Sequence, residues 1–299
     1  MTVMQRQFDD HASGLGPVGR AIMNGHVPAI VATFKGWRRD NLVPIADVVE
    51  DVIKGFDFDD RQSAIIRAGA TLAAQPHDNP FHGNRHFLEV FTVTAMLAQD
   101  AYKDERLEKN NAARLLTAAL IHDYKHDGTG NNGEQFRLER LAFESAKRDL
   151  VRAGATAEDL AVIRDFLFTT DVSRDFSNPQ SRSPADSVKT YSLTKDPAVL
   201  HEELKGLHER KLHDAALMLE DADIGNSLLD PELCRQSGEY LAREQGRSYD
   251  SKIEAFFLDK ICHRHFFSTS GQKLIQGCMD VILQKNGLAT AGPLQIRQP

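Results

Sequence analysis

The chain of 299 residues is predicted to be all-α, a multi-helix bundle. Apolar residues recur at helical spacing in nearly every segment, and alternating stretches rich in Val, Ile, Thr and Tyr are scarce. No internal repeat or low-complexity tract interrupts that pattern. The spacing predicts helices over 46–55, 60–74, 86–101, 112–124, 135–153, 157–168, 198–224, 231–244, 251–266 and 271–285. Two stretches break it: the Gly/Pro-rich start from 14 to 28, and the polar run from 172 to 197, which is long for a simple connection. One domain is expected over 1–299, with an N-terminal helical segment (1–75), a core (76–285) and a loosely ordered tail (286–299).

Composition limits the partners. A hydrophobic fraction of 41% with 26% charged residues suits a soluble globular protein, so disorder is not expected. The formal net charge is −7, and no Lys/Arg cluster is long enough to track a phosphate backbone. Long nucleic acid is therefore excluded as a partner, and a small anionic substrate would need local cations, metal ions among them. Cys234, Cys262 and Cys278 are odd in number, far apart and never in a C-x-x-C arrangement, which fits reduced thiols and not a disulfide framework or thiolate zinc site. With no apolar segment near the start and no run of about eighteen apolar residues, a soluble, cytoplasmic protein without a membrane partner is expected. The oligomeric state is not legible.

Three of the predicted helices end an apolar face in a ligand-type side chain. His82, His86, Val90, Val93 and Leu97 fall at spacings of four, four, three and four, which puts two imidazoles one turn apart above a greasy stripe. If the helix 112–124 runs on, Leu115, Ala119, His122 and His126 share a stripe, and Asp123 is carried out of water beside them. Leu212, Ala216, Leu219 and Asp223 share a third face. An unpaired buried carboxylate costs several kcal/mol or protonates, and a bound cation removes that cost. A single histidine on an apolar face is more often a hydrogen-bonded core residue, but H-x-x-x-H, His-Asp and a distant Asp together point to one metal centre. Imidazole plus carboxylate suits zinc, iron or manganese, with magnesium or manganese at carboxylate-and-water positions.

These residues resemble the HD superfamily of metal-dependent phosphohydrolases, and within it the catalytic domain of class I cyclic-nucleotide phosphodiesterases. Asn79-Pro80-Phe81-His82-Gly83-Asn84-Arg85-His86-Phe87-Leu88-Glu89-Val90 is similar to N-P-Y-H-N-x-x-H-A-x-D-V, with Phe for Tyr and Gly for Asn. The stretch from His122 to Asn131 resembles H-D-x-x-H-P-G-x-x-N, with Asp127 in place of Pro, and Ala222-Asp223-Ile224-Gly225-Asn226 resembles A-D-L-S-N. Phe143-Glu144 is similar to the L-E of L-E-N-H-H, and Thr169-Thr170-Asp171 to A-T-D.

The resemblance spans roughly residues 76 to 280. It implies two divalent metals: His86, His122, Asp123 and Asp223 holding a tight ion (Zn or Fe/Mn), and Asp123 bridging to a second (Mg or Mn). His126, Glu144 and Thr170 would contact waters on that second ion. His82 would be the general acid, and Asn131, Asn226 and Gln272 would face the substrate. Ile275 stands where the family's stacking phenylalanine would be. The implied activity is hydrolysis of a small phosphodiester, a 3',5'-cyclic nucleotide first, by a water activated between the metals. A carboxylate should orient His82, and Glu239 is the candidate.

Alternatives stay open at this point: another HD phosphohydrolase acting on nucleotides or nucleoside polyphosphates, an HD-type di-iron oxygenase, or a metal-binding module without turnover. His201, His208 and His213 read as a solvated face, with His208 and His213 as alternative second-metal ligands. His263 and His265 read as a partly exposed pair. The G-x-G-x-x-G of Gly14 to Gly19 lacks the preceding hydrophobic strand of a dinucleotide site, because 8–13 is polar and acidic.

Overall fold

The computed structural model describes residues 14–39, 42–131, 133–173 and 182–290. Among them there are fifteen α-helices and no strand. The fold begins with α1 (Pro17–Met23), α2 (Val27–Trp37), α3 (Ile45–Phe56) and α4 (Asp60–Ala73). The Gly/Pro-rich start is thus helical. Pro17 and Pro28 each sit in a first turn, where a missing N–H costs nothing, and Gly25 takes a φ of 61° after α1. The G-x-G-x-x-G stretch opens α1, its Gly16 amide donating to Asp51 at 3.0 Å. Residues 1–13, including the polar stretch 8–13, lie outside the described part, as do 291–299 of the tail.

Two helices form the centre. In α5 (Asn84–Lys103) every residue from His86 to Gln99 is buried, so it is a core helix surrounded on all sides. Its Phe87 and Phe91 are fully buried, each contributing about 1.5–3 kcal/mol through removal of apolar surface from water. The second, α6 (Lys109–Ile121), is buried from Leu115 to Ile121 and packs on α4 and α5. The helix stops at Ile121 and does not continue to 124. Tyr124 N bonds back to Ile121 O, and Lys125 adopts a φ of 67°, so His126 leaves the stripe predicted for it.

Next come α7 (Arg137–Arg152) and α8 (Ala157–Phe168). Thr156 and Asp159 cap α8 reciprocally in a capping box. The polar run contains α9 (Pro184–Thr194), which starts with a Ser183 cap and a first-turn proline; residues 174–181 of that run lie outside the described part. The single helix expected over 198–224 is broken into two 3-10 turns, a short α10 (Lys205–Glu209) and α11 (His213–Leu228). The break falls where Lys211 takes a φ of 59° and Leu212 N bonds to Leu207 O. The chain closes with α12 (Pro231–Glu244), α13 (Ser251–Lys260), α14 (Thr269–Leu274) and α15 (Gln276–Lys285). α13 ends six residues early, with His263 and Arg264 at positive φ, and the helix expected over 271–285 divides at Ile275.

Helix α11 packs on α5, and the buried hydrophobic side chains form one connected cluster. The start of α5, the end of α6 and the middle of α11 therefore meet at one point. No described helix is long and apolar enough to cross a membrane, and the three cysteines are free.

Asp159 offers a test of this frame. Burial would raise its pKa, but hydrogen bonds from Thr156, Arg114 and Arg61 bring it down to about 2. A depressed folded-state pKa stabilises above the unfolded value and stops doing so as pH falls through the folded one. The stability gap between the native chain and D159N, measured by denaturant unfolding, should be full at pH 7 and close between about pH 4 and pH 2. A gap independent of pH would contradict it.

Candidate metal centre and adjoining cavity

His86, His122, Asp123 and Asp223 come together, their ligand atoms all within 4.8 Å of one another. His86 Nε2 is 3.2 Å from Asp123 Oδ2 and 3.1 Å from Asp223 Oδ1. His122 Nε2 is 3.0 Å from Asp123 Oδ2 and 3.5 Å from Asp223 Oδ1, and the two ring nitrogens are 3.1 Å apart. His122 Nδ1 donates to Ala119 O at 2.9 Å, which leaves the Nε2 lone pair of the neutral ring facing the cluster. Without a cation these groups neutralise one another with protons. Burial opposes charge on the rings, but Asp123 and Asp223 outweigh it and raise His86 and, more strongly, His122. Burial likewise opposes the carboxylates, yet the imidazoles hold Asp123 and Asp223 below the usual range. Two converging imidazoles and two carboxylates fit a divalent cation.

A second group, His82, Asp123 and His126, adjoins the first. His82 precedes α5 and does not belong to it, because Gly83 is the N-cap. A Cβ on Gly83 would stand 2.8 Å from Asn79 O, so the tight turn explains glycine where the resembled motif has Asn. The rings of His82 and His126 stack at 3.8 Å. His126 Nδ1 accepts from Gly128 N at 3.0 Å, which puts the proton of the neutral ring on Nε2 and makes that atom a donor. Asn79 Nδ2 donates to His126 O at 2.8 Å and ties the two segments together.

The carboxylate that holds His82 is Glu244. Its Oε1 is 2.5 Å from His82 Nδ1, and its Oε2 accepts from the amides of Phe81 and His82 at 2.9 and 3.1 Å. Burial works against this carboxylate, but the His82 ring and those amides bring its pKa to about 2. Glu239 is instead exposed and paired with Arg235 on the outer face of α12. The two differ by five residues, more than one helical turn, so only one can face the histidine.

Glu144 is also exposed, its side chain paired with Lys147 at 3.5 Å. The acidic residue on the inner face of α7 is Glu139. It accepts from Asn131 Nδ2 at 3.2 Å, and burial, with the charges of Asp171 and Asp123, raises it to about 8. Leu138-Glu139 is itself an L-E pair, five residues upstream of Glu144. Asn131 is buried between Glu139 and the Leu138 amide. Asn226 bonds the carbonyls of its own helix and Ser227. Gln272 is exposed on α14, its amide near Phe267 O, and Ile275 is fully buried. Thr170 donates to Leu167 O at 2.9 Å and lines the cavity described next.

A cavity of about 370 Å³ opens beside the cluster, with Phe81, His82 and Asp223 on its wall. Ile224, Leu228, Leu241, Phe256 and Phe257 make it mainly apolar, and Ser237, Tyr249 and Glu254 supply polar groups. The remaining histidines are elsewhere. His208 Nδ1 is 2.6 Å from Tyr191 Oη, His213 packs edge-on against Tyr191, His201 against Phe136, and His263 pairs with Asp186. None of them belongs to either ligand group among the described residues.

Residues 81–144 match the family described as 3'5'-cyclic nucleotide phosphodiesterase. No curated protein matches the chain. Among solved structures, the phosphodiesterase domain of the RhoPDE fusion protein from the choanoflagellate Salpingoeca rosetta is similar over 87% of this chain and 89% of its own, with 17% identity and a TM-score of 0.57. A second structure, the phosphodiesterase domain of the rhodopsin phosphodiesterase of that organism, covers 87% and 86% with 18% identity and a TM-score of 0.57. LmjPDEB1 in complex with IBMX covers 85% and 88%, with 16% identity and a TM-score of 0.56. Residues 81–144 thus match this family, and the chain has the fold of phosphodiesterase domains.

Metal loading should show the proton balance of the cluster directly. Because both imidazoles are raised by the carboxylates, a cation entering at pH 7 has to displace protons, and affinity should climb as pH rises. Calorimetric titration of the metal-free chain with manganese or zinc, in buffers of different ionisation enthalpy, should record release of about one proton or more. No release at pH 7 would count against the cluster as the metal site.

Proposed function

We propose that this chain, with the fold of phosphodiesterase domains and the ligand segment of the cyclic-nucleotide family, is a metal-dependent phosphodiesterase acting on a small cyclic nucleotide. The carrying observation is the convergence of His86, His122, Asp123 and Asp223 beside a cavity that His82 also faces. His86, His122, Asp123 and Asp223 would hold the tight cation, and Asp123 would reach the second. Bound divalent cations supply an activated water and charge neutralisation at the phosphoryl group.

The residues of the chain do the rest. Glu139, held by Asn131, takes the place assigned to Glu144 as an acceptor for water near Asp123, and His126 Nε2 is a donor toward the same region. Thr170 stands on the cavity wall. Glu244 fixes a proton of His82 on Nδ1 and orients the ring. His82 Nε2, 4.0 Å from Asp123 Oδ2, then faces the centre and donates its proton to the departing ribose oxygen. The P–O bond to that oxygen breaks as the P–O bond to water forms, and the water's proton returns to the site. The apolar cavity walls are suited to a base, excluding water from its faces. Gln272 lies outside the cavity wall, so in this reading the base would be met by the wall residues.

A screen of cyclic mononucleotides with manganese, magnesium and zinc tests the reading. Turnover should appear with at least one cyclic nucleotide. H82A should lose about two to four powers of ten in kcat while elemental analysis finds its metal content unchanged. Full metal loading with no hydrolysis of any cyclic nucleotide would favour a binding module instead.

A further inference from the structure

His82 can serve as a proton donor only if α12, which carries Glu244, keeps its register against α5, which carries His86. Two guanidiniums span that gap, and one of them also reaches the loop of His82. Arg85 precedes His86 on α5, and its guanidinium carbon lies 3.9 Å from the centre of the Tyr240 ring on α12, one turn before Glu244. Its Nη2 donates to Pro80 O at 3.2 Å, in the loop that delivers His82. Its Nε is 4.0 Å from Glu89 Oε1.

Glu89 is fixed in turn. Arg38, just after α2, grips it with Nε and Nη2 at 2.8 and 2.7 Å, and both side chains are 1% exposed. Arg38 Nη1 donates to Leu233 O at 2.7 Å, near the start of α12. Helix α12 is therefore fastened to α5 at two heights, at Leu233 through Arg38 and at Tyr240 through Arg85. Only the upper fastening also touches the loop of His82. A flat guanidinium can stack on a ring and bond a carbonyl at its edge at the same time, which an ammonium cannot do in that geometry.

We propose that Arg85 is a positioning residue for proton donation: through Tyr240 and Pro80 it holds Glu244 and the His82 loop in the register that aims His82 at the leaving oxygen. The inference rests on the role given to His82 above. A merely structural role would depress metal content, stability and every substrate alike. Positioning of the acid instead depends on the leaving group, because an alkoxide needs a proton and a p-nitrophenolate does not.

The test uses the full metal-loaded chain with two substrates, the cyclic nucleotide it hydrolyses and bis(p-nitrophenyl) phosphate. R85A should lower kcat on the cyclic nucleotide by about ten- to a hundredfold, the range for a displaced catalytic group, with metal content retained. Its kcat on bis(p-nitrophenyl) phosphate should stay within about threefold, because that step does not draw on the acid. In an H82A background R85A should add less than about twofold, as expected when both act on one step. Y240A, which removes the platform and leaves the charge, should reproduce the pattern and carries the test if R85A does not fold. Equal losses on both substrates, or full additivity with H82A, would overturn the proposal while leaving the phosphodiesterase reading intact. A wild-type chain idle on both substrates would overturn the two together.

Discussion

Four ligand-type side chains from the ends and middle of three helices crowd into a space that only a positive charge can make comfortable. In the low dielectric of the interior, the carboxylates of Asp123 and Asp223 cannot remain ionised beside apolar helices unless something positive sits between them. The imidazoles of His86 and His122 can supply it by holding protons, or a cation can supply it by displacing them. The packing of α5 against α6 and α11 is what forces the choice, since none of the three helices can withdraw its ligand without exposing a buried face. Core and site are thus one construction. The greasy stripes that fold the bundle are the same stripes that carry the ligands to the centre.

Beside that centre, His82 is held in a different way. The four converging residues belong to or adjoin packed helices, but His82 sits in a loop before α5. Its orientation comes from Glu244, which touches both the ring and two loop amides, and from the stack on His126. Three separate segments therefore set the direction of one ring. A ring held this way is sensitive to helix register, and the contacts of Arg85 with Tyr240 and Pro80 lie along the same seam between α5 and α12.

The cluster was legible in the sequence because each ligand ends an apolar stripe, a local pattern with a physical cause. His86, His122, Asp123 and Asp223 could be read that way, and the helix spans over 157–168 and 231–244 followed from the same periodicity. Helices α1, α2 and α9 lie in or beside stretches whose proline and glycine ordinarily interrupt a helix, although Pro17, Pro28 and Pro184 are in first turns and Ser183 is a cap. The break near Lys211 carries no glycine or proline, so the residues there give no warning of it. The carboxylates around the cluster are less legible for another reason. Glu139 and Glu144, like Glu239 and Glu244, are five apart on one helix, and without the packing direction nothing in composition tells the inner glutamate from the outer.

The cavity wall shows where local pattern ends altogether. Its polar members come from α11, α12, α13 and the segment leading into α13: Ser227 donates to Ser237 at 2.8 Å, and the Tyr249 hydroxyl donates to Glu254. Neither pair has a periodic signature, because the first joins two helices and the second joins a loop to the helix after it. Ligands of an ion must converge on a point, so their spacing is constrained and survives as a motif. Groups that line a cavity need only share a surface, and many arrangements of serine, tyrosine and glutamate can do that. Here Gln272 is exposed and Ile275 buried, and neither lines the cavity.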